Sequence, residues 1–275
     1  MGSTLEQVST PKSDSGDASG RRDTGTLGKA MSVLDVIASS EHPMRFTEIL
    51  EKCDQPRGTL HRQIANLVEE GLLTVNHDHT YGLGLMLLRY ASKAWAGNHF
   101  RIIAEPHMQA LHAVTGETVH LGMLSGTKVI YVDKVEGRQS VRMYSQIGNA
   151  SPVYCTGIGK AAISTLSPEC LEDLVQKIDF HKFTTNTLSG PKALLAEIEE
   201  IRRNGIAFDR EEHESGIHCV AAPIKPIKGD TFAGISVTGP VYRVSTEMLE
   251  QWAEQVHETA LNIEEDLGTK LGPRA

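Results

Sequence analysis

The stretch Pro56-Arg57-Gly58-Thr59-Leu60-His61-Arg62-Gln63 decides the reading of this 275-residue chain. Proline suits a first helical turn, and Leu60, Ile64, Leu67 and Val68 form an apolar stripe until Gly71 supplies a C-terminal cap. The other side carries Arg57, Thr59, His61, Arg62, Gln63 and Asn66, donors crowded toward the helix start. An arginine fork matches guanine in a major groove, a glutamine amide matches adenine, and threonine with backbone N–H groups suits phosphate. Alone, the same face also fits a solvated helix of a small bundle.

The flanks favour the nucleic-acid reading. Upstream, Leu27, Ala30, Val33, Leu34, Ile37 and Ala38 predict an amphipathic helix from Thr26 to about Ser40, ending before His42-Pro43. Thr47 stands where an N-cap belongs and opens a short second helix that ends near Cys53. Downstream, Leu72–Val75 and Thr80–Leu83 read as strands around the polar turn Asn76-His77-Asp78-His79. Three short helices and then a hairpin outline a winged helix-turn-helix, whose last helix enters the major groove. The DNA-facing set is then Thr47, Arg57, Gly58, Thr59, His61, Arg62, Gln63 and, in the wing, His79.

Charge distribution permits this. The net charge of −8 disfavours phosphate contact, but nine basic and nine acidic residues balance between Arg21 and Lys93, while 17 basic and 23 acidic residues follow from Ala96 onward. No apolar run approaches the roughly 20 residues of a membrane span. Residues 1–25 are polar, rich in Ser, Thr, Gly and Asp, and read as a disordered tail without a secretory core. The four cysteines are too dispersed for a zinc cluster and read as reduced thiols of a cytoplasmic protein. Neither metal nor cofactor is expected.

Beyond the wing, Leu85–Gly97 reads as a linker helix with Leu85, Leu88, Ala91, Ser92 and Trp95 on one side, followed by a helix over Phe100–Val114. Strands are expected at 117–124, 128–135, 140–144, 205–208, 218–224 and 232–238, and helices at 159–165, 168–178, 191–204 and 245–267. The fold class is therefore α+β, a central antiparallel sheet with helices around it. The expected organisation is a tail over 1–25, a winged helix-turn-helix over 26–84, a linker helix over 85–98 and a sensor-like domain over 99–275.

Two stretches of this larger domain carry candidate chemistry. Cys155-Thr156-Gly157-Ile158-Gly159-Lys160-Ala161 is a glycine-rich turn before a helix, where free N–H groups and the helix dipole can hold an anion. It is not a Walker loop, because Tyr154 stands where glycine is needed and Ala161 where Ser or Thr would hold magnesium. Taken alone it reads as an ordinary helix start. Cys219, with His218, His213 and Asp209 nearby, could form a nucleophilic set, which leaves a cysteine-dependent hydrolase or acyltransferase as the alternative function. Strand alternation, however, puts His218 and Cys219 on opposite faces, so a buried structural cysteine is the better reading.

Several motifs, in order and at matching spacing, resemble the IclR family of bacterial transcriptional regulators. They are Leu27–Ala30 with Val33-Leu34-Asp35, Pro56–Arg62 with Leu67 and Gly71-Leu72-Leu73, and Tyr81–Gly84, then Thr156–Ala161, Glu211-Glu212 and Gly216–Ile224. The resemblance implies a dimer or tetramer on a palindromic double-stranded DNA operator, more often a repressor, with a GAF-like C-terminal domain that binds a small organic acid or aromatic catabolite. It also implies a pocket formed by Gly157, Ile158, Asp209, Cys219, Ser236 and Thr238. Gly58 departs from the family pattern, standing where serine is common.

Overall fold

The computed structural model describes residues 25–139, 145–225 and 232–271. The tail and the strand expected at 140–144 lie outside them, except for Gly25, which opens the first helix. The chain divides into two compact units, the first ending at Gly97 and the second beginning at Asn98.

In the first unit α1 (Gly25–Ala38), α2 (Phe46–Lys52) and α3 (Arg57–Glu69) precede a hairpin of β2 (Leu73–Val75) and β3 (Thr80–Leu83). Val33, Leu34, Ile37, Ile49, Leu60, Ile64, Leu67 and Leu73 converge in one core. Each fully buried side chain of this kind stabilises the fold by roughly 1.5–3 kcal/mol. A two-residue strand, β1 (Met44–Arg45), pairs antiparallel with β3 and makes the wing three-stranded. Its brevity hides it from any reading of alternation. Thr47 is not the cap expected of it. The α2 start is held instead by Glu48, whose carboxylate accepts from the Arg45 N–H at 2.6 Å, which leaves Thr47 exposed within the first turn.

The wing runs directly into α4 (Leu85–Ala96). The Gly84 N–H donates to Leu72 at 2.9 Å and the Met86 N–H to Gly71 at 3.3 Å. A Cβ on Gly84 would lie 2.0 Å from the Gly71 carbonyl oxygen, so only glycine permits this crossing. Gly71 itself has φ +68°, the left-handed conformation that closes α3.

The second unit opens with α5 (His99–Thr115) and is built on an antiparallel sheet that has six strands among the described residues. In chain order its strands are β4 (Thr118–Ser125), β5 (Lys128–Val135), β6 (Ala150–Pro152), β7 (Ala207–Arg210), β8 (Ile217–Ile224) and β9 (Ala233–Pro240). They lie side by side as β6-β5-β4-β9-β8-β7. The unit's remaining helices are α6 (Gly157–Ser164), α7 (Pro168–Val175), α8 (Pro191–Asn204) and α9 (Thr246–Leu271). Strand β6 was not anticipated. Gly205, expected to begin a strand, instead caps α8 at φ +72°.

Alternation sorts the sheet into two faces. Val119, Leu121, Val220, Ala222, Ile235 and Val237 pack beneath α5 and α9. On the opposite face α6 lies across β8, β9 and β4, backed by Leu194 and Ile198 of α8. The close approach of α6 depends on two glycines. A Cβ on Gly122 would stand 2.9 Å from Ile158 Cδ1, and one on Gly234 would stand 3.1 Å from the Ile158 carbonyl oxygen.

Candidate effector site and nucleic-acid interface

The register of the sheet assembles one polar row under the start of α6. Asp209 of β7 pairs with Cys219 of β8, Cys219 with Thr238 of β9, and Thr238 with Thr118 of β4. In the next row Ala221 pairs with Ser236, and Ser236 with His120. Directly opposed residues share a face, so Asp209, Cys219, Ser236 and Thr238 all face α6. Gly157 completes the group, because a Cβ there would lie 3.0 Å from Cys219 Sγ and 3.5 Å from the Asp209 nitrogen. Ile158 contributes only its backbone, since its side chain is packed into the core with Val129 and Ala161.

Thr156 caps α6. Its hydroxyl donates to Pro152 at 2.7 Å and accepts from the Gly159 N–H at 3.2 Å. The Gly159 amide is thereby committed, and the amides open to an anion are those of Gly157 and Ile158.

Burial governs the electrostatics. It pushes Asp209 up to about 7, helped by the Glu212 carboxylate and opposed by the hydrogen bond that the Glu212 N–H donates at 2.7 Å. A carboxyl so placed carries a proton about half the time near neutral pH and can then donate to an acidic ligand. Burial also raises the Cys219 thiol to about 12, although it lies within reach of the Thr238 and Ser236 hydroxyls. Such a thiol is inert.

The nucleophilic alternative therefore fails on geometry as well. His218 points the other way, its Nδ1 lying 2.8 Å from the Val244 carbonyl oxygen, and no catalytic pair with Cys219 exists.

Two residues of this face escaped the sequence reading. Lys160 of α6 is fully buried, with Nζ 2.6 Å from Glu212 Oε1 and 3.0 Å from Glu197 Oε1. His120 is 2% exposed, its Nε2 lying 2.7 Å from Ser145 Oγ and its ring 4.7 Å from that of Tyr131. A cation inside an otherwise apolar helix was a usable signal for Lys160. A single histidine in an alternating strand gave none for His120.

On α3, Arg57, Gly58, His61 and Arg62 are exposed and Thr59 is half-buried. Phe46 braces the first turn, with Arg57 5.3 Å above its ring and His61 6.0 Å away centroid to centroid. A Cβ on Gly58 would meet nothing within 4 Å, so no local contact demands glycine there. Gln63 must be withdrawn from the DNA-facing set. It is 2% exposed and its amide donates to the Thr26 carbonyl oxygen at 3.4 Å, which seats it in the junction of α1 and α3. In the wing His79 is exposed at φ +63°, and Asp78 accepts from both the Thr80 N–H and its hydroxyl, which hold its carboxyl below the usual range.

Two family models cover both units, "IclR helix-turn-helix domain" over residues 26–77 and "Bacterial transcriptional regulator IclR C-terminal" over residues 93–265. The chain belongs to the IclR family of bacterial transcriptional regulators. It is 32% identical to the HTH-type transcriptional regulator BhcR of Paracoccus denitrificans over 89% of this chain and 88% of that protein. The crystal structure of Thermotoga maritima IclR is 33% identical and covers 88% of this chain and 98% of that one, with a TM-score of 0.64. An IclR homologue of Microbacterium hydrocarbonoxydans, crystallised with 4-hydroxybenzoate, is 22% identical and shares the fold at a TM-score of 0.71, over 90% of this chain and all of that one. As an IclR-family member the protein is a DNA-binding transcriptional regulator and not an enzyme. Among the described residues no helix is long and apolar enough to cross a membrane.

Proposed function

We propose that this IclR-family regulator is a cytoplasmic repressor that binds a palindromic operator as a homodimer or a pair of dimers. It releases the operator when a small hydroxy or keto acid, or an aromatic acid, fills the site beneath α6. The observation that carries the reading is the polar row Asp209, Cys219 and Thr238, with Ser236 in the next row on the same face, lying against Gly157 at the start of α6. Amides at a positive helix end accept a carboxylate, and two hydroxyls on one face orient it. Asp209, near pH 7 as much acid as carboxylate, reaches a hydroxyl or protonated group instead of repelling the ligand. The 4-hydroxybenzoate bound by the Microbacterium homologue has this chemistry.

The DNA half of the reading rests on exposed Arg57, His61 and Arg62 on α3, with His79 in the wing. It is tested by fluorescence anisotropy with the intergenic DNA beside the gene at two salt concentrations, because phosphate contacts make affinity fall with salt. A thermal-shift screen of small acids tests the sensor half, since a ligand that binds the folded state raises its melting temperature. Binding that is weak and indifferent to both sequence and salt, or a screen in which no acid shifts the transition, overturns the respective half.

A further inference from the structure

We propose that the effector site continues past Ser236 to His120, and that the imidazole there selects ligands bearing a hydroxyl or carbonyl group opposite their carboxylate. This rests on the organic-acid reading above and adds to it the length and the far-end chemistry of the ligand. His120 pairs with Ser236, which pairs with Ala221, so the imidazole stands on the face that holds Cys219 and Asp209. It lies two strands from Cys219, about 10 Å at the usual spacing of paired strands. A small ring, or a short chain with a polar group at each end, spans that interval.

The imidazole is only half satisfied. Nε2 meets Ser145, but Nδ1 is buried and has no hydrogen-bond partner among the described residues. Leaving such a group unmatched costs roughly 1–3 kcal/mol, which a purely packing role would have removed through an apolar side chain. The charge state points to the class of ligand group. Burial, with the Lys134 ammonium nearby, holds His120 down at about 3, so the ring is neutral at physiological pH and suits a neutral donor or acceptor. The neighbouring ammonium is itself engaged, 2.8 Å from the Ser145 carbonyl oxygen and 2.9 Å from Glu136, so the carboxylate end belongs at the glycine turn. Tyr131, whose hydroxyl burial raises to about 12 and which therefore stays neutral, adds a flat wall beside the imidazole.

The test is calorimetric titration of the full chain with pyruvate, benzoate and 4-hydroxybenzoate. Wild type is expected to prefer 4-hydroxybenzoate over benzoate by roughly tenfold, the worth of one buried hydrogen bond. His120→Asn places a polar atom near Nδ1 and should keep most of that preference. His120→Gln reaches toward Ser145 in place of Nε2, and should fold yet lose the preference. Thermal melts of both variants confirm folding. Undiminished preference in His120→Gln, or no preference in wild type while pyruvate or benzoate binds, overturns the role of His120 and leaves the acid site standing. If none of the three acids binds wild type, the organic-acid reading itself falls, and this inference with it.

Discussion

Lys160 and Glu212 form an ion pair of 2.6 Å in which the lysine side chain is wholly buried and the glutamate nearly so. Glu212 also donates its N–H to Asp209 and accepts on its carbonyl oxygen from the Thr187 hydroxyl at 2.6 Å. The pair thus anchors both α6 and the turn after β7, the two sides of the proposed effector site. Removing one partner strands a buried charge. Lys160→Met should destabilise the sensor unit by about 3–5 kcal/mol at pH 8. The loss should be smaller at pH 5, because burial already raises Glu212 and removal of the Lys160 charge raises it further, so that protonation relieves the stranded carboxylate as pH falls. Urea denaturation at the two pH values measures this, and a loss below about 1 kcal/mol at pH 8 would refute the pair's structural role.

Asp209 gives a pH dependence of its own. Its folded value of about 7 lies above the ordinary 3.8, so the folded state holds a proton that the unfolded state has released. Stability contributed by that proton is lost as pH rises through this window. Asp209→Asn keeps an acceptor for the Glu212 N–H and has no charge to bury. It should be more stable than wild type at pH 8, and the advantage should shrink steadily toward pH 4. Melting curves that stay parallel across this range would show that the carboxyl is not held protonated by its surroundings.

Arg62 and Gln63 are adjacent in sequence and opposite in consequence. Arg62→Ala should weaken operator binding by about 1–3 kcal/mol for a base contact, or lower the salt slope by about 1 for a phosphate contact, with folding intact. Gln63→Ala should leave sequence preference alone and cost about 1 kcal/mol of stability in the first unit. An altered base preference in Gln63→Ala would return that residue to the DNA face.

Helix α4 leaves Leu85 85% exposed and Leu88 67% exposed. Two such leucines on one helix suit a second copy of the chain, and a single recognition helix buries too little surface for a typical operator affinity. Leu88→Glu should shift the protein toward monomer in light scattering and weaken operator binding more than half-site binding. A dimeric mass unchanged by the substitution would place the interface elsewhere.

The sequence made the longer elements legible because burial followed periodicity. Leu60, Ile64 and Leu67 announced α3, Pro191 opened α8, and the alternation of β8 put Cys219 and His218 on opposite faces. Strands β1 and β6, of two and three residues, are too short to alternate, and only their partners make them strands. Gln63 was misplaced although it lies at i+3 from Leu60 and i−4 from Leu67, positions that belong to the buried stripe. Its polarity outweighed its spacing. His120 could not have been found, since its hydrogen-bond partner lies 25 residues away and its neighbours on the sheet are set by register alone.

The crossing of Gly84 over Gly71 ties the start of α4 to the end of α3 through backbone hydrogen bonds, beside which Leu87 packs on the core that α3 helps to build. Two helices joined in this way turn together, as a handle turns a blade. A change in the tilt of α4 is then expected to reach the face that bears Arg57 and Arg62 through that backbone junction. In a pair of such chains, the distance between the two reading heads would be set by how the handles are held.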